Sequence, residues 1–202
     1  MPLSAQALSE LEQWVAQYGA ALAGLDAATR AAVIAAYAEI EDWSDTAQTL
    51  TAAAVAVRVA QAGQQSTAGL SAQYAAVVMA LLGDRSQSPI VPDLLRLLQG
   101  RRNVTPFNLY SRPIHVYRRV IARGGTPAEA FAAARLRAEV IAGLDGVLTA
   151  REATLLQFRA EGALRYRRVI RPELSASGTC GLCIAARLEG FGEFGVFTLA
   201  PM

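Results

Sequence analysis

Cys180 and Cys183 stand three residues apart in Cys-Gly-Leu-Cys and are the chain's only cysteines. Two thiolates at that spacing on a tight turn can hold one side of a tetrahedral zinc ion, and a closed site needs two further ligands. The single histidine, His115, is distant in sequence, so a zinc site within the chain is half complete. Three readings stay open: a plain buried pair, a metal site that borrows ligands from elsewhere, and a redox dithiol. The last lacks the strand-and-crossover setting of thioredoxin-like pairs. His115, in Tyr-Ser-Arg-Pro-Ile-His-Val-Tyr over residues 110–117, has the chemistry of a general base. No Gly-x-Ser-x-Gly or comparable nucleophile frame accompanies it, which makes a packing or surface histidine the plainer reading. Arg165, Arg167, Arg168 and Arg171 cluster around Tyr166. On a strand, Arg165, Arg167 and Arg171 share one face, which can meet phosphates or an acidic protein surface. A solvated strand face paired with Glu161 and Glu173 fits the same residues. The chain shows no glycine-rich phosphate loop, paired-carboxylate signature or recognised nucleic-acid motif.

Charge is distributed unevenly around these groups. Residues 1–95 carry three arginines (Arg30, Arg58, Arg85) against nine acids, a net of −6. Residues 96–202 carry 16 arginines against eight acids, a net of +8. No lysine occurs, which fits the codon bias of a GC-rich genome. Arginine also makes forked contacts with carboxylates and phosphates, so the basic half is the end that would seek an acidic partner. Hydrophobic residues make up 53% of the chain but aromatics only 7%, and much of the apolar content is alanine. Alanine favours helix and buries little area, which argues for slim, closely spaced helices. The most membrane-like stretch, residues 47–62, is interrupted by Gln48, Thr49, Thr51 and Arg58, so no transmembrane helix is expected. The first residues lack the pattern of a secretory signal. Synthesis in the cytoplasm is the expectation.

The elements that must position these residues are predominantly helical. Ser4 or Ser9 can cap a helix whose stripe is Leu8, Leu11, Val15 and Tyr18, with Gly24 as its expected end. Asp26 is the expected cap of a second helix carrying Val33, Ile34, Tyr37 and Ile40, with Trp43 near its end. Ser44 and Asp45 open a third that runs to Gly63, and a fourth spans residues 70–82. Residues 83–89 read as a linker, residues 92–99 as a short helix and residues 100–106 as a loop. Ser111 and Pro113 start a helix that ends at Gly124-Gly125. Thr126-Pro-Ala-Glu129 then has the form of a capping box with proline in the first turn. The helix it opens continues to about Glu161, with Gly143 and Gly146 around Asp145 able to kink or divide it. Residues 164–171 have strand character and stop at Pro172. The expected fold class is mainly α: an elongated helical bundle with a small α+β element near the C-terminus. The expected division is an N-terminal helical region, 1–88, followed by a second region, 89–202.

The stretch 166–185, Tyr-Arg-Arg-Val-Ile-Arg-Pro-Glu-Leu-Ser-Ala-Ser-Gly-Thr-Cys-Gly-Leu-Cys-Ile-Ala, resembles a segment of MuF-like phage head morphogenesis proteins, especially those of actinobacterial phages. Tyr110-Ser-Arg-Pro and Gly125-Thr-Pro-Ala-Glu-Ala130, followed by an alanine- and arginine-rich helix, are similar to the same family. The resemblance covers roughly residues 105–185. It implies a minor capsid protein of the virion head, made in the bacterial cytoplasm and associated with the portal vertex in head morphogenesis or genome delivery. Its implied partners are the portal or major capsid protein and the packaged DNA, with several copies per particle and no membrane. Some relatives are capsid maturation proteases, an alternative in which His115 would be the base. An internal protein that contacts DNA through its arginines is a further alternative. Family members usually continue from Cys-x-x-Cys into a His-x-x-Cys-x-Cys element that completes a metal site. Residues 190–202 contain neither histidine nor cysteine, so the expectation is a C-terminal part shortened relative to the family. Zinc at Cys180 and Cys183 is then only half provided for, and no cofactor is expected.

Overall fold

Long alanine-rich stretches without proline favour helix outright. The computed structural model describes residues 5–81, 104–160, 165–166 and 192–193, and it is helical through nearly all of the first two spans. Helix α1 covers Ala5–Ala38, α2 Thr46–Leu81, α3 Pro106–Tyr110, α4 Arg112–Ala122 and α5 Pro127–Ala160. Arg165–Tyr166 (β1) pairs antiparallel with Gly192–Glu193 (β2), a two-residue ladder that stands apart from the helices in sequence. At the usual helical rise, α1, α2 and α5 are each about 50 Å long.

These three helices lie side by side. Tyr18 of α1 stacks on Tyr74 of α2 with ring centroids 4.1 Å apart, the Tyr18 and Ser71 hydroxyls hydrogen-bond at 2.9 Å, and further along Thr29 of α1 lies against Gly63 of α2, which makes α1 and α2 antiparallel. Helix α5 places Gly143 against Arg30 and Gly146 against Asp26, so it is antiparallel to α1. It sets Asp145 beside Gln64 and Ala153 in a cluster with Ala68 and Ala72, so it is parallel to α2. Alanine dominates the seams. Ala52, Ala53, Ala56 and Ala60 of α2 and Ala134, Ala138 and Ala142 of α5 are all buried, the latter at four-residue intervals on one face. A methyl buries little area, so such a core holds through close backbone approach and dense packing rather than bulk.

The bulk is concentrated at one end. Trp43 stacks on Tyr117 of α4 at 4.2 Å and meets Phe131 of α5 edge-on at 6.1 Å, with Tyr37 behind it. Val33, Ile40, Ile114 and Ile141 complete this cluster, so helices from both sides of residue 88 share one core.

Local signals explain where the helices start. Asp45 accepts hydrogen bonds from the Ala47 and Gln48 amides at 2.7 and 3.3 Å and caps α2. Thr105 accepts from the Asn108 amide at 3.2 Å, with Pro106 in the first turn of α3. Thr126 and Glu129 form the expected capping box: the Thr126 amide donates to the Glu129 carboxylate at 2.8 Å, and the Glu129 amide to the Thr126 hydroxyl at 3.3 Å. These bonds hold the Glu129 carboxyl below its ordinary range. Between α4 and α5 the chain turns through Gly124, whose φ of 85° is a left-handed conformation that costs glycine little.

Several expectations are corrected. Gly24 does not end a helix and Asp26 does not start one; both lie inside α1. Gly63 does not end a helix either, and the expected third and fourth helices are one, α2. Gly143 and Gly146 leave α5 undivided. A glycine costs roughly 1 kcal/mol in a helix interior, too little to break a long alanine-rich helix whose flanks are packed. The expected loop 100–106 gives way to α3 at Pro106. Among the described helices, α1 rather than residues 47–62 is long and apolar enough to cross a membrane, and little of its most apolar stretch is buried. The linker 83–89, the short helix 92–99 and the C-terminal α+β element, beyond the two-residue ladder, lie outside the described residues.

Candidate functional site

Two features of the helical body stand out: a polar chain through its interior and an apolar face on its exterior. The interior chain begins at Tyr37 of α1, whose buried hydroxyl donates to the Tyr110 carbonyl at the end of α3. Burial pushes the Tyr37 phenol well above its ordinary pKa. The Tyr110 hydroxyl in turn donates to Oδ2 of Asp145 on α5 at 3.1 Å. Gln64 Nε2 of α2 donates to the same oxygen at 3.1 Å. One buried carboxylate, 5% exposed, thereby connects four helices. A buried polar group is tolerated when it is hydrogen-bonded, and the Tyr110 and Gln64 donors contribute to that.

The glycines that flank Asp145 in sequence have a definite use. A Cβ on Gly143 would lie 2.6 Å from the Arg30 guanidinium carbon, and one on Gly146 would lie 3.2 Å from Asp26 Oδ1. Both glycines are seats for the Asp26–Arg30 pair of α1, which is joined at 2.5 Å. The gap lined by Asp26, Thr29, Gln64, Thr67, Tyr110 and Asp145 closes to about 10 Å³, room for a single water and not for an organic substrate. Gly19, Leu22, Ala23, Thr67, Gly146 and Val147 border a shallower groove between α1 and α5. The arrangement has the geometry of a staple that sets helix register.

On the exterior, α5 exposes Leu136, Val140, Leu144, Val147 and Leu148, each between 42% and 62% accessible. Spacings of three and four put them on one side of the helix, opposite the buried alanines. Leu8, Trp14 and Val15 are likewise exposed near the start of α1. Only half of the stripe expected there is turned inward: Leu8 and Val15 face solvent, while Leu11 and Tyr18 are partly covered. Helix α4 and its C-cap residue expose a line of Arg112, His115, Arg119 and Arg123, and the helix contains no acidic residue.

His115 is therefore exposed on α4, and among the described residues no carboxylate, hydroxyl or thiol is hydrogen-bonded to its imidazole. No group of three metal-ligating side chains occurs among the described residues. Cys180, Cys183, Arg167, Arg168 and Arg171 lie outside the described residues, and Arg165 is described only as part of β1. Sequence reasoning missed the Asp145 network. Its signal was an acid within the apolar run 141–148, read as a helix interruption instead of a buried acceptor.

No family model, curated protein or solved structure matches the chain.

Proposed function

We propose that this chain is a structural protein of a tailed-phage head, a minor capsid component that works by docking at the portal vertex during head morphogenesis or genome delivery. The observation that carries the reading is the apolar face of α5. Five large aliphatic side chains left in water on a helix whose opposite side is fully packed mark a surface that is completed by association. The sequence resemblance over residues 105–185 supports the same reading, because α5 falls within it. The test is co-expression with a tailed-phage portal protein, and separately with a major capsid protein, taken from the genome that encodes this chain. Co-purification with either, lost on Leu144→Asp, is expected. No association with either partner, from a folded protein, would refute the reading.

The basic line on α4 favours a second reading, contact with packaged DNA. Arg112, Arg119 and Arg123 are exposed at helical intervals without an acid on that helix to neutralise them. Phosphate contacts of this kind weaken steeply with salt. Fluorescence anisotropy with duplex DNA would show a salt slope that falls when Arg119 and Arg123 are replaced by glutamine. An absence of binding at low salt would exclude this reading.

A further inference from the structure

The apolar face of α5 is self-complementary. Read outward from Val140, four residues in each direction stand Leu136 and Leu144, seven residues away stand Ala133 and Val147, and eleven residues away stand Glu129 and Arg151. At the helical repeat all seven lie within about 40° of the Val140 direction, and the two members of each pair lie symmetrically about it. The order along the helix is acid, apolar, apolar, valine, apolar, apolar, base. Glu129, Leu136, Val140, Leu144, Val147 and Arg151 are exposed, and Ala133 is partly so.

We infer that two copies of this chain associate through α5 in an antiparallel, two-fold pairing with Val140 on the axis. In that register Leu136 of each copy meets Leu144 of the other, and Ala133 leaves room for Val147. Glu129 meets Arg151 at both ends. A parallel pairing would oppose Glu129 to Glu129 and Arg151 to Arg151, so the charges at the two ends of the stripe select the antiparallel one. A two-fold contact uses the same patch on both partners, which requires a patch that is its own complement under reversal. The α5 face meets that requirement. Leu148 sits toward the edge of the stripe, away from the axis, and belongs to its margin. The inference rests on the assembly reading above and names the partner of that surface as a second copy.

The test uses the full chain with Cys180 and Cys183 replaced by serine and a single cysteine introduced by Val140→Cys. Dimers in sedimentation velocity, and a disulfide-linked dimer on mild oxidation, are expected. Leu148→Cys in the same background should cross-link poorly. Arg151→Glu should raise the dimer dissociation constant by about tenfold, and Glu129→Arg combined with Arg151→Glu should restore it. Circular dichroism shows whether each variant keeps its helices. Glu129 also closes the Thr126 capping box, so comparison with Glu129→Gln separates the loss of the cap from the loss of the pairing. A helical, monomeric protein at all accessible concentrations would overturn the inference. So would cross-linking that favours Leu148→Cys, or a double reversal that restores nothing. Monomers that still bind portal protein would remove the pairing and leave the assembly reading intact. Dimers that bind neither portal nor capsid protein would do the reverse.

Discussion

Replacing glycines inside the long helices by alanine should stabilise the protein at some positions and destabilise it at another. A Cβ added at Gly24 or Gly69 meets nothing within 4 Å. Each replacement then gains the helix propensity of alanine over glycine, roughly 1 kcal/mol. In a chain of this size that raises Tm by about 2–4 °C. Gly63 is different. A Cβ there would collide with the Thr29 hydroxyl, lie 2.6 Å from Thr29 Cγ2 and 3.0 Å from its Cβ. Thr29 is β-branched and its hydroxyl is bonded to the Leu25 carbonyl at 2.8 Å, so it turns aside at a cost. Overpacking of this kind costs about 1–3 kcal/mol, which through most of that range outweighs the propensity gain. Gly63→Ala should therefore lose up to about 2 kcal/mol net, the balance of those two terms. Combining it with Thr29→Ala removes the two nearest atoms and should recover most of the loss. Urea and thermal unfolding followed at 222 nm would measure the set. A destabilised Gly24→Ala would mean that the chain turns at Gly24 and would refute a continuous α1. Additive effects of Gly63→Ala and Thr29→Ala would refute the close approach of α1 to α2.

Asp145→Ala removes the acceptor that the Tyr110 hydroxyl and the Gln64 amide share in the interior and should cost about 2–4 kcal/mol. Asp145→Asn retains an acceptor and should cost less. Urea midpoints decide, and an alanine variant as mild as a surface substitution would remove the network from the core. The Tyr37 phenol is raised by burial, so its contribution is fully present below about pH 10, the unfolded value, and is lost as pH climbs toward the folded one. Tyr37→Phe should flatten the fall in stability between about pH 9 and 11, measured by urea midpoints across that range; an unchanged slope would count against it. Helix α1 is long and apolar enough to span a membrane, yet its Tyr18–Tyr74 stack and the seating of its Asp26–Arg30 pair on Gly143 and Gly146 set it within the bundle. The protein should stay unbound in flotation with neutral and anionic vesicles, and co-flotation would contradict the bundle.

Helical content was legible because alanine, periodic apolar residues and capping residues act locally. Asp45, Ser111 with Pro113, and Thr126 with Glu129 all mark helix starts close to where α2, α4 and α5 begin. Helix continuity was not legible. Whether Gly63 or Gly143 ends a helix depends on what packs against it, and Thr29 and Arg30 are distant in sequence from Gly63 and Gly143. Asp145 was opaque for the same reason: its donors, Gln64 and Tyr110, come from other helices. The exposed face of α5 was also hidden, because an apolar residue at helical spacing has the same pattern whether it faces the core or a partner. The solvent exposure of Leu136, Leu144 and Val147 separates the two.

The most direct test of a structural role is quantitative mass spectrometry of tailed-phage particles purified from the source that encodes this chain. The protein should be present in every preparation at a fixed ratio to the portal protein, and Leu144→Asp should deplete it from particles while leaving it folded and soluble in the lysate. Complete particles that lack the protein would contradict the role assigned to it.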